Sequence, residues 1–152
     1  MKKYVVVLLA SIAITGTASA ASLTTEAKQL EAQYVDAFNN KQGAKIASFY
    51  TEDATVVAQD GHATTGRANL AQTYSRIVGH FTISTTLGEV HTLGNGGWAL
   101  ATGVQTFPDG HVVKTHAVHI YGLENGKLLF RVLSIGVDVP LPHKTACMGS
   151  NC

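Results

Sequence analysis

The sequence predicts an α+β fold in which helices come first and a run of antiparallel strands follows. Three observations predict it. Apolar residues recur at helical spacing from Ser22 to Asn40, with Ala27, Leu30, Tyr34 and Phe38 on one stripe and Val35 and Ala37 widening it. From His80 onward the period drops to two, in four long runs. Gly94-Asn95-Gly96, Pro108-Asp109-Gly110 and Glu124-Asn125-Gly126 separate those runs and are the residues of hairpin turns. Helices segregated ahead of a strand meander belong on one face of a sheet.

The elements follow in order. Met1-Lys2-Lys3 is a basic start, Tyr4 to Ile14 is almost unbroken apolar sequence, and Ala18-Ser19-Ala20 offers small residues before a cut at Ala21. Residues 1–20 therefore read as a secretory signal peptide, too short and wrongly flanked for a spanning helix. No cysteine follows the cut, which argues against a lipid anchor. Helix one takes Thr24 or Thr25 as its cap, with Glu26 complementing the positive end of its dipole. Asn39-Asn40-Lys41 breaks it, and a short helix from Gln42 to Tyr50 carries Ile46, Phe49 and Tyr50 inward. Thr51-Glu52-Asp53 reads as a turn into a strand over Ala54 to Ala58, and Gln59-Asp60-Gly61-His62 as a second turn. Gly66 opens a third helix to about Val78, with Leu70, Tyr74 and Ile77 at helical spacing. The long strands are His80 to Leu93, Gly97 to Phe107, His111 to Leu123 and Lys127 to Val139. Gly88, Gly103, Gly122 and Gly136 interrupt them, where a curled sheet bends or bulges. One domain spans 21–139, and Pro140 begins a tail over 140–152.

Composition excludes several functions. Without the leader the chain keeps nine Lys+Arg against ten Asp+Glu and shows no basic cluster, so a nucleic-acid footprint is absent. No later apolar stretch has spanning length, and the expected product is soluble, exported to the periplasm or beyond, with no membrane association. In such an oxidising compartment Cys147 and Cys152 favour a disulfide, worth roughly 2 kcal/mol for so small a loop. The alternative, a metal held by His143, Cys147 and Cys152, lacks paired spacing. His111 and His119 lie roughly 26 Å apart along one strand, too far to share an ion, and no metal or cofactor is expected. Neither a G-x-S-x-G elbow nor a Gly-rich phosphate loop is present.

The segments Tyr34-Val35-Asp36-Ala37-Phe38-Asn39, Ile46-Ala47-Ser48-Phe49-Tyr50-Thr51-Glu52-Asp53-Ala54-Thr55-Val56 and Gly66-Arg67, in this order ahead of four strands, resemble the NTF2-like superfamily. That superfamily includes SnoaL-type polyketide cyclases, ketosteroid isomerases and small secreted domains, and the likeness covers nearly all of Ser22 to Val139. It implies a cone: three N-terminal helices packed on a curled, mainly antiparallel sheet of four to five strands, with an apolar cavity open at one end. It further implies a small hydrophobic or amphipathic ligand, a homodimer through the outer sheet face and, if the domain is an enzyme, cofactor-free isomerase, dehydratase or cyclase chemistry. Val112, Val118 and Ile120 opposite Val113 and Ala117 give the twin-faced apolar pattern such a dimer needs.

Set against ketosteroid isomerases, Tyr34 falls on the tyrosine that donates to a developing enolate oxygen. The proton-shuttling aspartate falls on Ala58, with Asp60 two residues on, and the assisting acid falls near Thr115 or His116. The same likeness turns the Thr115 face toward the cavity, which makes His119 the pocket histidine and a general acid or base near neutrality. The candidate catalytic set is therefore Tyr34, His119 and Asp60, and the pocket-lining set is Tyr50, Ala58, Thr115 and His91. Each has a structural alternative: Tyr34 as a core tyrosine, Asp60 as a turn residue beside His62, the other histidines as surface groups. Arg67 reads either as an anion partner at a helix start or as a solvated side chain, and Trp98 as a residue packing a sheet face. Three functions compete: a ligand-binding domain, a cofactor-free enzyme, and a dimeric interaction subunit with a filled cavity.

Overall fold

The computed structural model describes residues 20–137. Residues 1–19, which hold all but the last residue of the expected leader, and residues 138–152, with His143, Cys147 and Cys152, lie outside the described residues. Three helices and six strands follow in the order α1 (Ala20–Asn39), α2 (Gly43–Ala47), β1 (Tyr50–Val57), β2 (Ala63–Thr65), α3 (Arg67–Ile77), β3 (Thr82–Leu93), β4 (Gly96–Thr106), β5 (Val112–Glu124) and β6 (Lys127–Val137). They form one sheet of order β2-β1-β6-β5-β4-β3. Every neighbour is antiparallel except β1 and β6, which run parallel. Among the described residues no helix is long and apolar enough to cross a membrane.

The sheet has one strand more than expected because the Asp60 turn closes a hairpin. Ala58 N–H donates to the His62 carbonyl at 2.9 Å and Gly61 takes φ +82°, so the chain folds back and β2 pairs Thr55 with Thr65 and Val57 with Ala63. The Thr51-Glu52-Asp53 turn does not exist. The chain turns earlier, at Ser48 and Phe49, and all three residues belong to β1. Long-range pairing overrides the local turn chemistry: Phe130 N–H binds the Phe49 carbonyl at 2.9 Å, and β1 then runs beside β6. The polar residues are absorbed by a register shift between Tyr50 and Thr55, which leaves Glu52 and Asp53 exposed while Tyr50 and Thr51 stay buried.

Arg67 locks this segment in place. Its Nε donates to the Tyr50 carbonyl at 2.8 Å, and its guanidinium pairs with Glu52 at 3.0 Å and with Glu124. Glu124 accepts in addition from the Glu52 N–H, and the Arg67 hydrogen bond holds its carboxyl below the usual carboxylate range. Arg67 is thus a clamp between β1 and the β5–β6 turn.

The core lies between α1 and the concave face of the sheet. Ala27, Leu30, Tyr34, Ala37 and Phe38 of α1 are buried, and Ile46, Tyr50, Leu70 and Phe130 are wholly enclosed. At the far end of α1 the Asn39 side-chain amide completes the edge strand β3, donating to the Ile83 carbonyl at 2.9 Å and accepting its N–H at 2.8 Å. At the near end, α1 is received by glycines that open β4. A Cβ on Gly97 would lie 2.6 Å from the His91 carbonyl oxygen and 2.9 Å from Leu23 of α1, and one on Gly96 would lie 2.1 Å from the Tyr121 carbonyl oxygen.

This close approach predicts a contrast between two turn-flanking glycines. Gly96→Ala should lower stability by at least about 2 kcal/mol, because the clash is with backbone that cannot yield. Gly94→Ala meets no atom within 4 Å and strains only its φ of +59°, so a loss of about 1 kcal/mol is expected. Denaturant midpoints of the two variants check the order.

Candidate functional site

Where α1 ends its close contact with the sheet, a cavity of about 200 Å³ remains. Its walls are mostly apolar: Phe38 from α1, Leu70 and Ile77 from α3, and Phe81, Ile83, Val104 and Ile135 from the β3 side and the sheet. Glu31, Tyr34, Tyr74, Thr85, Thr115 and His119 bring the polar groups, and Asp60 and His62 border it from the exposed hairpin turn.

His119, on β5, is the most enclosed histidine. Its Nδ1 stands 3.2 Å from Glu31 Oε2, and the two side chains are 4% and 6% exposed. The Tyr121 hydroxyl lies 3.5 Å from the same nitrogen, and the Phe130 ring meets the imidazole edge to face at 5.3 Å. With Nδ1 committed to Glu31 and Tyr121, Nε2 is the nitrogen left for a cavity ligand. The carboxylate approaches off the N–H axis, and neither Glu31 oxygen has a hydrogen bond among the described residues.

Three tyrosines from separate elements form the second device. The Tyr74 hydroxyl (α3) bonds to that of Tyr50 (β1) and lies 3.3 Å from that of Tyr34 (α1). Burial pushes all three phenols above their ordinary value, so they remain protonated donors. Tyr50 is wholly buried, and the three hydroxyls form one cluster in which each can donate or accept. Tyr34 and Tyr74 line the cavity and Tyr50 does not, so the cluster presents its hydroxyls to a ligand through those two.

The structure thus places Tyr34, Ala58, Asp60, Thr115 and His119 on one cavity. Asp60 is exposed and its carboxylate caps the His62 N–H at 2.8 Å, which makes it a turn residue at the rim. Tyr50 stands behind the wall and reaches the cavity only through Tyr74. His91 is not at the cavity. A register shift in β3 between Leu87 and Val90 reverses the alternation, turning Val90 toward the core and His91 to the outer face. There it stacks on Trp98 at 4.4 Å. Glu31 is the buried cavity residue that sequence reasoning passes over. Its signal is present: position 31 lies four residues after Ala27 and three before Tyr34, so a carboxylate sits within the buried stripe of α1. Among the described residues no three His, Cys, Asp or Glu side chains converge as a metal site.

Residues 32–130 match the family model of the SnoaL-like domain. The chain belongs to that family, and its fold is NTF2-like. A comparison with curated proteins finds no sequence match. Among solved structures, the fold is similar to a putative scytalone dehydratase from Novosphingobium aromaticivorans, with a TM-score of 0.63 and 11% identity over 76% of this chain and 84% of that one. It is similar as well to a hexachlorocyclohexane dehydrochlorinase, with a TM-score of 0.63 and 12% identity over 76% and 85% of the two chains. A ketosteroid isomerase-like protein from Erwinia carotovora gives a TM-score of 0.64 and 15% identity over 76% and 96%. At these identities the likeness is one of fold.

The buried phenols of this SnoaL-like domain set its response to alkali. A phenol whose folded pKa is raised contributes stability below its unfolded value near 10.0, and that stability is lost as pH rises through the folded value. All four tyrosines of the described residues are buried. In an alkaline titration, phenolate absorbance should therefore stay flat past the ordinary tyrosine range and then appear together with the loss of the circular dichroism signal. Ionisation that precedes unfolding would contradict the enclosed tyrosine cluster.

Proposed function

We propose that this SnoaL-like domain is a cofactor-free lyase or isomerase that takes a proton from carbon in a small, largely apolar substrate. The observation that carries the reading is the enclosed His119 imidazole, backed by the Glu31 carboxylate at 3.2 Å and bordering the same cavity as the Tyr34 hydroxyl. In this reading Nε2 of His119 removes the proton as general base. The Glu31 charge stabilises the imidazolium that forms, and the ring contacts with Phe130 and Tyr121 hold its orientation. Tyr34, the tyrosine of the cluster carried by α1, donates to the oxygen or leaving group on which negative charge gathers. The apolar walls exclude water, which strengthens each of these interactions. An isomerase returns the proton to a different carbon, whereas in a lyase the electron pair of the broken C–H bond forms a carbon–carbon double bond and the leaving group departs with the pair of its own bond to carbon. A dehydratase and a dehydrochlorinase among the structural neighbours support the reading by analogy of fold.

Two further readings belong to the same proposal. The domain works after export, as the leader implies. It works as a homodimer through the outer sheet face, where Leu100, 58% exposed, stands opposite Val118, 39% exposed, with the Trp98–Ile120 pair beside them.

The catalytic reading is tested on the purified mature chain in D2O with a panel of cyclic ketones, hydroxyketones and chlorinated cycloalkanes, following deuterium uptake and elimination by NMR. His119→Ala should cut turnover by about 10²- to 10⁴-fold. Tyr34→Phe should cut it by roughly 10²-fold, mainly in kcat. Tyr74→Phe, which removes the hydroxyl between the other two of the cluster, should cost less than Tyr34→Phe. Rates that do not respond to the first two changes, or a panel with no turnover, overturn catalysis and leave a ligand-binding domain.

A further inference from the structure

We propose that Glu31 and Thr85 form a polar subsite, on the α1–β3 side of the cavity, that receives a hydroxyl group of the ligand. The proposal rests on the cavity being a ligand pocket and is independent of His119 acting as the base.

Three buried side-chain polar atoms among the described residues have no hydrogen bond: both carboxylate oxygens of Glu31 and Oγ1 of Thr85. They come from different elements, α1 and β3, yet both residues border the cavity. Both also border the shallow groove on the outer side of the α1–β3 contact, so they stand in the wall between the two spaces. A buried carboxylate without donors is costly, and folded proteins rarely leave one so. His119 stands beside it on one side but does not satisfy its lone pairs. The three unpaired atoms therefore belong to residues of the pocket wall, where a ligand's polar group would supply their missing partner.

The chemistry of the pair selects its occupant. Carboxylate oxygens accept only, and a threonine hydroxyl both donates and accepts. A ligand hydroxyl matches both, giving its proton to Glu31 and accepting that of Thr85. A carbonyl has no proton for Glu31, and an anionic group is repelled by it. An ammonium group serves Glu31 but leaves the Thr85 proton without an acceptor. The apolar lining includes Phe38, Ile77, Phe81 and Val104, which suit a carbon ring. The ligand class is a small cyclic alcohol, its hydroxyl at Glu31 and its ring against the apolar wall. Since Glu31 also touches His119, the hydroxyl-bearing end lies on the His119 side of the pocket.

The experiment compares indane, indanol and aminoindane as probes, with binding to the mature chain measured by calorimetry. Indanol should bind at least roughly tenfold more tightly than indane, the gain of a hydrogen bond to a buried charge. Thr85→Val and Glu31→Gln should each shrink that preference while leaving the affinity for indane unchanged, which also reports an intact pocket. Equal binding of indanol and indane, no binding of either, or a preference retained in both variants overturns the subsite. Tighter binding of aminoindane than of indanol overturns the hydroxyl assignment, as does a crystal structure with water held between Glu31 and Thr85 while indanol sits elsewhere. Binding separates this proposal from the catalytic one. A preference lost in Thr85→Val beside silent His119→Ala keeps the subsite and sinks the base, and the reverse pattern keeps the base and sinks the subsite.

Discussion

The fit of α1 into the curl of the sheet is the constraint from which the rest of this structure follows. Six strands with an apolar concave face must be covered, and one twenty-residue helix does most of the covering. It enters where β4 is stripped to Gly96 and Gly97, and it leaves where the Asn39 amide finishes the open edge of β3. Between those anchors the side chains of α1 decide where the cone is full and where it is hollow. Ala27 and Ala37 pack without exposure, whereas Glu31, Tyr34 and Phe38 also border the cavity.

Polar groups gather at that boundary because it is the one place where burial and a free partner position coexist. In the packed region a carboxylate or imidazole must be satisfied by neighbours, and on the surface water screens it. At the edge of a small apolar cavity neither holds, and the groups interact strongly with whatever enters. The Glu31–His119 contact and the Tyr50–Tyr74–Tyr34 cluster have this character. Each joins distant parts of the chain, and each borders the hollow: the His119 imidazole in one case, Tyr34 and Tyr74 in the other.

The segments that carry the family resemblance do different work. Gly66 takes φ +91° to start α3, and Arg67 ties Tyr50, Glu52 and Glu124 together across three elements. Asp53 accepts from Thr51 at 2.9 Å and sits beside Arg131, and the Thr51 hydrogen bond holds its carboxyl below the usual range. These are contacts of architecture. The cone itself is similar to that of a putative scytalone dehydratase, a dehydrochlorinase and a ketosteroid isomerase-like protein at 11% to 15% identity. Activity has to be argued from the cavity, whose residues lie outside those motifs apart from Tyr34, Phe38 and Val56.

Much of this protein was legible without coordinates. The helical stripe of α1, the switch to period two and the Gly-containing turns determine helices, long strands and their order, because each is a periodicity of a few residues. Alternation along β5 likewise places Thr115, Ala117 and His119 on one face. What the sequence could not determine depends on partners far along the chain. The bulge in β3 that turns His91 outward, the pairing with β6 that makes a strand of Thr51-Glu52-Asp53, and the meeting of Glu31 with a histidine 88 residues later are all set by register and curvature. Local sequence specifies which face a side chain takes while the pleat is regular. Only the closed sheet decides where the pleat slips, and which two faces then enclose the same space.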